Sequence, residues 1–261
     1  MAERTFLGTV RLALLLLVLF FVGVGAWLER SRSRDWDDTL RVTVYPIVQT
    51  SDPAVKTYAR TLQAEDFVTI EEFFAEEAGD YGVPLEQPVR VRVSHAARTP
   101  PPALPDRPSM LTVALWSLHT RFYAARVAWD DPLPTPDIQV FALYAPLGRG
   151  SPRPDSVGLS KGLIAIAHLY GDPSAGGSNA VVIAHEVLHT LGATDKYDLA
   201  TGLPLVPIGL GEPERLPAFP QEFGEIMAGR IATGPRDATI AGSLDDMLVG
   251  PETAAEIGWT Q

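Results

Sequence analysis

Residues 181–198 read VVIAHEVLHTLGATDKYD. Val181, Val182, Ile183, Ala184, Val187, Leu188 and Leu191 make the stretch oily, and His185, Glu186 and His189 are set into it. Burying an unpaired polar group costs roughly 2–7 kcal/mol by transfer estimates, so something must compensate. The spacing points to a metal ion. Four residues of helix amount to about 40° of rotation and 6 Å of rise, so the rings of His185 and His189 project to one side. Two imidazoles so placed can share one Zn²⁺ at about 2.0–2.1 Å. Glu186, one step on, reaches a water at the metal without being a ligand, which is the H-E-x-x-H arrangement. Gly192 ends the helix, because a residue without Cβ can take the left-handed C-cap. Asp195 lies three residues past that turn and can swing back as the third ligand. From average residue frequencies, a chance H-E-x-x-H-x-x-G-x-x-D in a chain of this length is on the order of 1 in 10⁴ to 10⁵.

Outward from the site helix the chain alternates between strand and helix. LRVTVYPIV (40–48) is β-rich and alternating, a strand. Ser51-Asp52-Pro53 starts a helix over about 54–78, ended by Gly79. PVRVRVSHA (88–96) is a second strand, and the proline-rich TPPPALPDRP (99–108) a loop. Residues 109–129 read as a helix or a strand–helix pair, 138–144 and 163–170 as strands, 179–191 as the site helix and 253–259 as a terminal helix. Between the last two, 199–224 is rich in Pro and Gly and too long for a simple connection. The order gives an α+β fold with an α/β-like first part: a mixed sheet with helices packed on it, then a loop-rich C-terminal half.

The 261 residues, 46% apolar, suffice for one sizeable domain or two packed subdomains. A net charge of −11 argues against nucleic acid as a partner, since phosphate binding needs a basic footprint. With no cysteine, disulfides, zinc–thiolate sites and a cysteine nucleophile are excluded. There is no G-x-S-x-G, Walker loop or dinucleotide fingerprint. The uncharged run Leu12–Leu28, 17 residues, reads as a single-pass membrane anchor; its apolar core, 12–22, also fits a signal peptide cleaved after Ala26. Arginines flank it on both sides, so the positive-inside count does not fix orientation. The N-in layout of a signal-anchor puts the domain outside the cytoplasm. The organisation read from sequence is 1–28 anchor or signal, 29–39 stalk, and 40–261 the catalytic domain, with an upper part at about 40–192 and a lower part at about 193–261.

HEVLHTLGATDKYD (185–198), together with EIMAG (225–229), resembles the metzincin zinc peptidases, in particular the snapalysin and immune-inhibitor-A-like groups that use Asp as third ligand. In those groups a Tyr follows the Asp by two residues, as Tyr197 follows Asp195, and Met227 matches the Met-turn beneath the metal. The resemblance implies a twisted mixed sheet with a backing helix, one catalytic Zn²⁺ on His185, His189 and Asp195, and Glu186 as general base in peptide hydrolysis. Tyr197 becomes a candidate oxyanion donor. It also implies that a substrate pairs along an edge strand, which the order places at 163–170, carrying His168. One departure stands out: many metzincins have Tyr two residues after the Met, and this chain has Gly229. The expected partners are a peptide or protein substrate and, through the N-terminal segment, a membrane. Two other readings stay open: a metal-stabilised binding protein, and a zinc hydrolase of a non-peptide substrate.

Overall fold

The computed structural model describes residues 35–104, 109–148, 157–159 and 163–260; the anchor or signal at 1–28 and most of the stalk lie outside the described residues. β1 (Leu40–Val48) has a parallel neighbour on each side, β2 (Val89–Val93) and β3 (Ile138–Ala145). β5 (Ile164–Tyr170) extends the parallel set beyond β3, and β4 (Val157–Leu159) runs antiparallel to β5 at the margin. The order is therefore β2-β1-β3-β5-β4. Parallel neighbours need long crossovers, and helices supply them: α1 (Pro53–Thr61) and α2 (Val68–Asp80) between β1 and β2, α3 (Met110–Asp130) between β2 and β3.

β1 and β3 are buried along nearly their whole length, as strands covered on both faces must be. On one face Val42, Val44, Val140 and Ala142 join the main core with α1, α2, α4 (Gly176–Leu191) and α5 (Pro251–Ile257). On the other, Tyr45, Ile47, Phe141 and Leu143 pack against Trp116, Ala124 and Val127 of α3. The C-terminal part adds four short strands, β6 (Gly224–Glu225), β7 (Arg230–Gly234), β8 (Asp237–Ile240) and β9 (Met247–Leu248), ordered β8-β7-β6-β9.

The α+β class and the mixed sheet are as expected; several details differ. The helix expected over 54–78 is two helices. Leu62 turns to extended backbone, and the Asp66 carboxylate accepts the Gln63 N–H to start a new turn. Residues 109–129 form one helix, with Ser109 capping the Thr112 N–H. The strand at 163–170 is an edge only in part: β4 pairs with Ile164–Ile166, and among the described residues Ala167–Tyr170 have no strand on that side. Three residues with a central glycine give no readable alternation. The small second sheet also went unread, because two of its strands are two residues long. Residues 199–223 do lack helix and strand, carrying only isolated bridges such as Tyr197 with Pro204. Among the described residues no helix is long and apolar enough to cross a membrane.

Candidate metal centre

α4 is seated before it delivers its side chains. Asn179 accepts from the Tyr170 N–H and donates to the Tyr170 carbonyl, pinning the helix to the end of β5. Gly177 passes so close to Gly242 that a Cβ would meet its carbonyl oxygen at 2.2 Å. At the far end Gly192 takes φ +106°, and its N–H donates to the carbonyls of Leu188 and His189. The chain turns back there, and Asp195 returns toward the helix face that carries the histidines.

Each imidazole has one nitrogen committed to a backbone carbonyl. His185 Nδ1 lies 2.9 Å from the Ile226 oxygen and His189 Nδ1 2.8 Å from the Ala193 oxygen. A carbonyl only accepts, so each Nδ1 carries a proton and, in neutral rings, each Nε2 presents a lone pair. Both Nε2 atoms face Asp195 Oδ1, at 3.3 and 3.1 Å. Oδ1 itself is buried with no donor in hydrogen-bonding geometry. Three lone pairs thus converge. Ligands about 2.05 Å from a tetrahedral ion are separated by about 3.3 Å, so the spacing suits a metal ion. A single proton satisfies one of these contacts; a cation satisfies all three. Among the described residues His185, His189 and Asp195 are the group of three whose ligand atoms all lie within 4.8 Å of one another.

The charges follow the geometry. Burial alone pushes the Asp195 carboxyl up, but the two imidazoles outweigh it and hold the group well below the usual carboxylate range. Burial pushes His185 down, and Asp195 and Glu186 more than reverse that. Glu186 is 3% exposed, and its Oε2 is buried without a hydrogen-bond partner. Burial raises its pKa, with the two histidines pulling it partly back. The carboxylate borders a cleft of about 560 Å³ together with His185, His189, Asp195, Tyr197 and Arg230.

The Met227 side chain is fully buried in the main core and does not line the cleft. Its backbone does the positioning: the Lys196 N–H donates to the Met227 carbonyl at 3.0 Å, and the preceding carbonyl, that of Ile226, holds the His185 ring. Neighbouring polar residues go elsewhere. The Asp198 carboxylate accepts from the Ala200 and Thr201 N–H groups, and His168 sits within β5, outside the group. Glu225, fully buried, accepts from the Ala228 and Gly250 N–H groups and the Thr253 hydroxyl; it staples the turn after β6 to α5.

Two contributors escaped sequence reasoning. Glu256 of α5 accepts from the Thr194 N–H and hydroxyl and from Lys196 Nζ at 2.7 Å, while Lys196 is 2% exposed. The two residues flanking Asp195 are therefore clamped to the terminal helix. Arg230, half-buried on the cleft wall, makes no ion pair among the described residues. No signal in sequence links position 256 to 194–196; a lone Arg after the Met-turn is equally silent.

No protein-family model matches the chain, and no curated protein matches it in sequence. The functional reading therefore rests on the site.

Proposed function

We propose that the protein is a zinc-dependent endopeptidase of metzincin type. The observation that carries this is the convergence of His185 Nε2, His189 Nε2 and Asp195 Oδ1, each without a proton to share, beside a buried carboxylate with an unpartnered oxygen. Two nitrogens and one carboxylate oxygen are a donor set suited to zinc with a position left open. Zinc held there supplies Lewis acidity toward a water and a scissile carbonyl.

The chain's own groups do the rest. The carbonyls of Ile226 and Ala193 lock the ring tautomers. Glu186 takes the proton from the attacking water as the C–O bond forms, then gives it to the amine as the C–N bond breaks. A carboxylate whose pKa is raised by burial takes the water's proton more readily than an exposed one and holds it until the amine leaves. Arg230 and Tyr197 border the same cleft and are the side chains available to the developing oxyanion where Gly229 offers none. β4 runs beside α4 as a sheet edge and suits an extended peptide adding a strand. The reading includes attachment to a membrane through 12–28, with the domain outside the cytoplasm.

The test is hydrolysis of denatured casein by zinc-loaded protein. Activity should vanish with a chelator and return with zinc. Glu186→Gln should keep the fold and the metal and lose about 10²–10⁴-fold in rate. A Glu186→Gln protein as active as the parent would overturn the assignment.

A further inference from the structure

α3 covers the sheet face opposite the site helix and is apolar on both of its own faces. Trp116, Thr120, Ala124 and Val127 turn inward and are buried. On the opposite side Leu111, Leu115, Leu118, Phe122, Ala125 and Trp129 recur at alternating spacings of four and three, and all six are exposed, the five large ones by 57–87%. At roughly 200 Å² per aromatic side chain, Phe122 and Trp129 alone leave about 300 Å² of apolar surface in water, and the three leucines add to it. The largest patch on a typical monomer is about 300–600 Å². The stripe runs the length of a 21-residue helix.

The 4-3 spacing would also suit a helix from a second copy, and charge decides against that partner. The positions beside the stripe carry His119 and Arg126 on one flank and Arg121 on the other. Two parallel copies would set Arg121 against Arg126, and two antiparallel copies centred on the stripe would set Arg121 against Arg121. Among the described residues of α3 and its end, acid appears only in Asp130, paired with Arg126 at 2.8 Å, and in Asp131, which accepts the Leu133 N–H. Arg98 shares a cleft with Arg126 and has no ion pair among the described residues. In a chain of net charge −11, Arg98, Arg121 and Arg126 stand against Asp130 and Asp131 among the described residues of this face.

Leu, Phe and Trp along one face with Arg on both flanks is the pattern of a helix lying in a bilayer interface. The sequence also supplies a reason for proximity. The apolar run ends at Leu28, seven residues before Asp35, and seven residues span at most about 25 Å. We infer that α3 docks flat on a lipid surface containing anionic headgroups, its Leu111–Trp129 stripe among the upper acyl chains, while the metal cleft on the other side of the sheet faces away. This rests on the membrane attachment in the reading above and not on zinc or on catalysis.

Because the chain has no cysteine, Leu118→Cys gives a single nitroxide site at an exposed position. The full chain is reconstituted in phosphatidylcholine vesicles with and without phosphatidylglycerol. With phosphatidylglycerol, the label at 118 should collide with oxygen more than with a water-soluble nickel chelate, and a label at Leu216→Cys in the long loop should show the reverse. Arg121→Gln or Arg126→Gln should each lower the docked-to-free ratio about fivefold on the anionic vesicles. As a second readout, quenching by brominated lipid should be larger for the native chain than for Trp129→Phe. Nickel access at 118 equal to that at 216, with no Trp129 quenching, overturns the inference. So does spin–spin broadening at 118, which would assign the stripe to a second copy.

Discussion

At the scale of single residues, two hydrogen bonds turn a pair of histidines into a candidate metal site. With Nδ1 of His185 and His189 donating to Ile226 and Ala193, the Nε2 lone pairs have one direction left, toward Asp195 Oδ1. Asp195→Ala removes the only anion from that triangle. It should weaken zinc binding by more than the 10–100-fold typical of partners that merely orient ligands, measured by competition with a chromophoric chelator. An Asp195→Ala protein binding zinc as tightly as the parent would show that the third ligand lies elsewhere. This triad was legible in sequence because it needs only helical spacing and one glycine turn. The hydrogen bonds to Ile226 and Ala193 were not, since a carbonyl acceptor leaves no mark on residue type.

At the scale of elements, the loop after α4 is held by α5, some sixty positions downstream. Glu256 balances Lys196 and takes the Thr194 N–H, so the segment bearing Asp195 is fixed by a helix that does not line the cleft. Removing one partner of a buried pair costs about 3–5 kcal/mol; the Glu256 side chain is 30% exposed, so solvent screening reduces this and Glu256→Gln should cost about 1–2 kcal/mol. Chemical denaturation measures that loss. Zinc affinity should fall about 10–100-fold in the same variant, with Glu186 untouched. Unchanged zinc affinity would make the clamp structural only. The elements themselves divide by length. β1, β3, β5 and α4 were readable because each carries a long hydrophobic pattern. β2, only five residues long, was readable because VRVRV alternates; β4 and β6–β9 were not, since strands of two to five residues without such alternation are defined by their partners and not by their own sequence. The break at Leu62 was hidden because helix-compatible residues lie on both sides of it.

At the scale of the whole molecule, the stapling of the C-terminal part onto the sheet core makes stability depend on pH. Glu77 on α2 accepts the Val249 N–H and is 5% exposed. Burial pushes its carboxyl up to about 7, with Asp80, Glu76 and Glu225 adding to the shift. The folded state therefore binds this proton more tightly than the unfolded chain. Stability from this group is greatest below about 4.5, falls as pH rises through 7, and is flat beyond, a loss on the order of 3 kcal/mol. Glu77→Gln keeps an oxygen for Val249 and should abolish that loss, so the variant gains on the parent between pH 5 and 8 in parallel urea titrations. Equal slopes for the two proteins would remove Glu77 from the account. The overall α+β order could be read because helices and strands alternate with clear punctuation. The joining of the two halves could not, because buried carboxylates such as Glu77 and Glu225 look like surface residues until the backbone N–H groups they cap are known. The central claim, that three converging lone pairs hold one catalytic zinc, is tested most directly by the metal content of the purified chain after exposure to zinc and gel filtration. The expected result is about one zinc per chain, coordinated by nitrogen and oxygen at about 2.0–2.1 Å in X-ray absorption and lost in His185→Ala and His189→Ala. A chain that takes up no zinc, or takes it up equally well without those histidines, would contradict it.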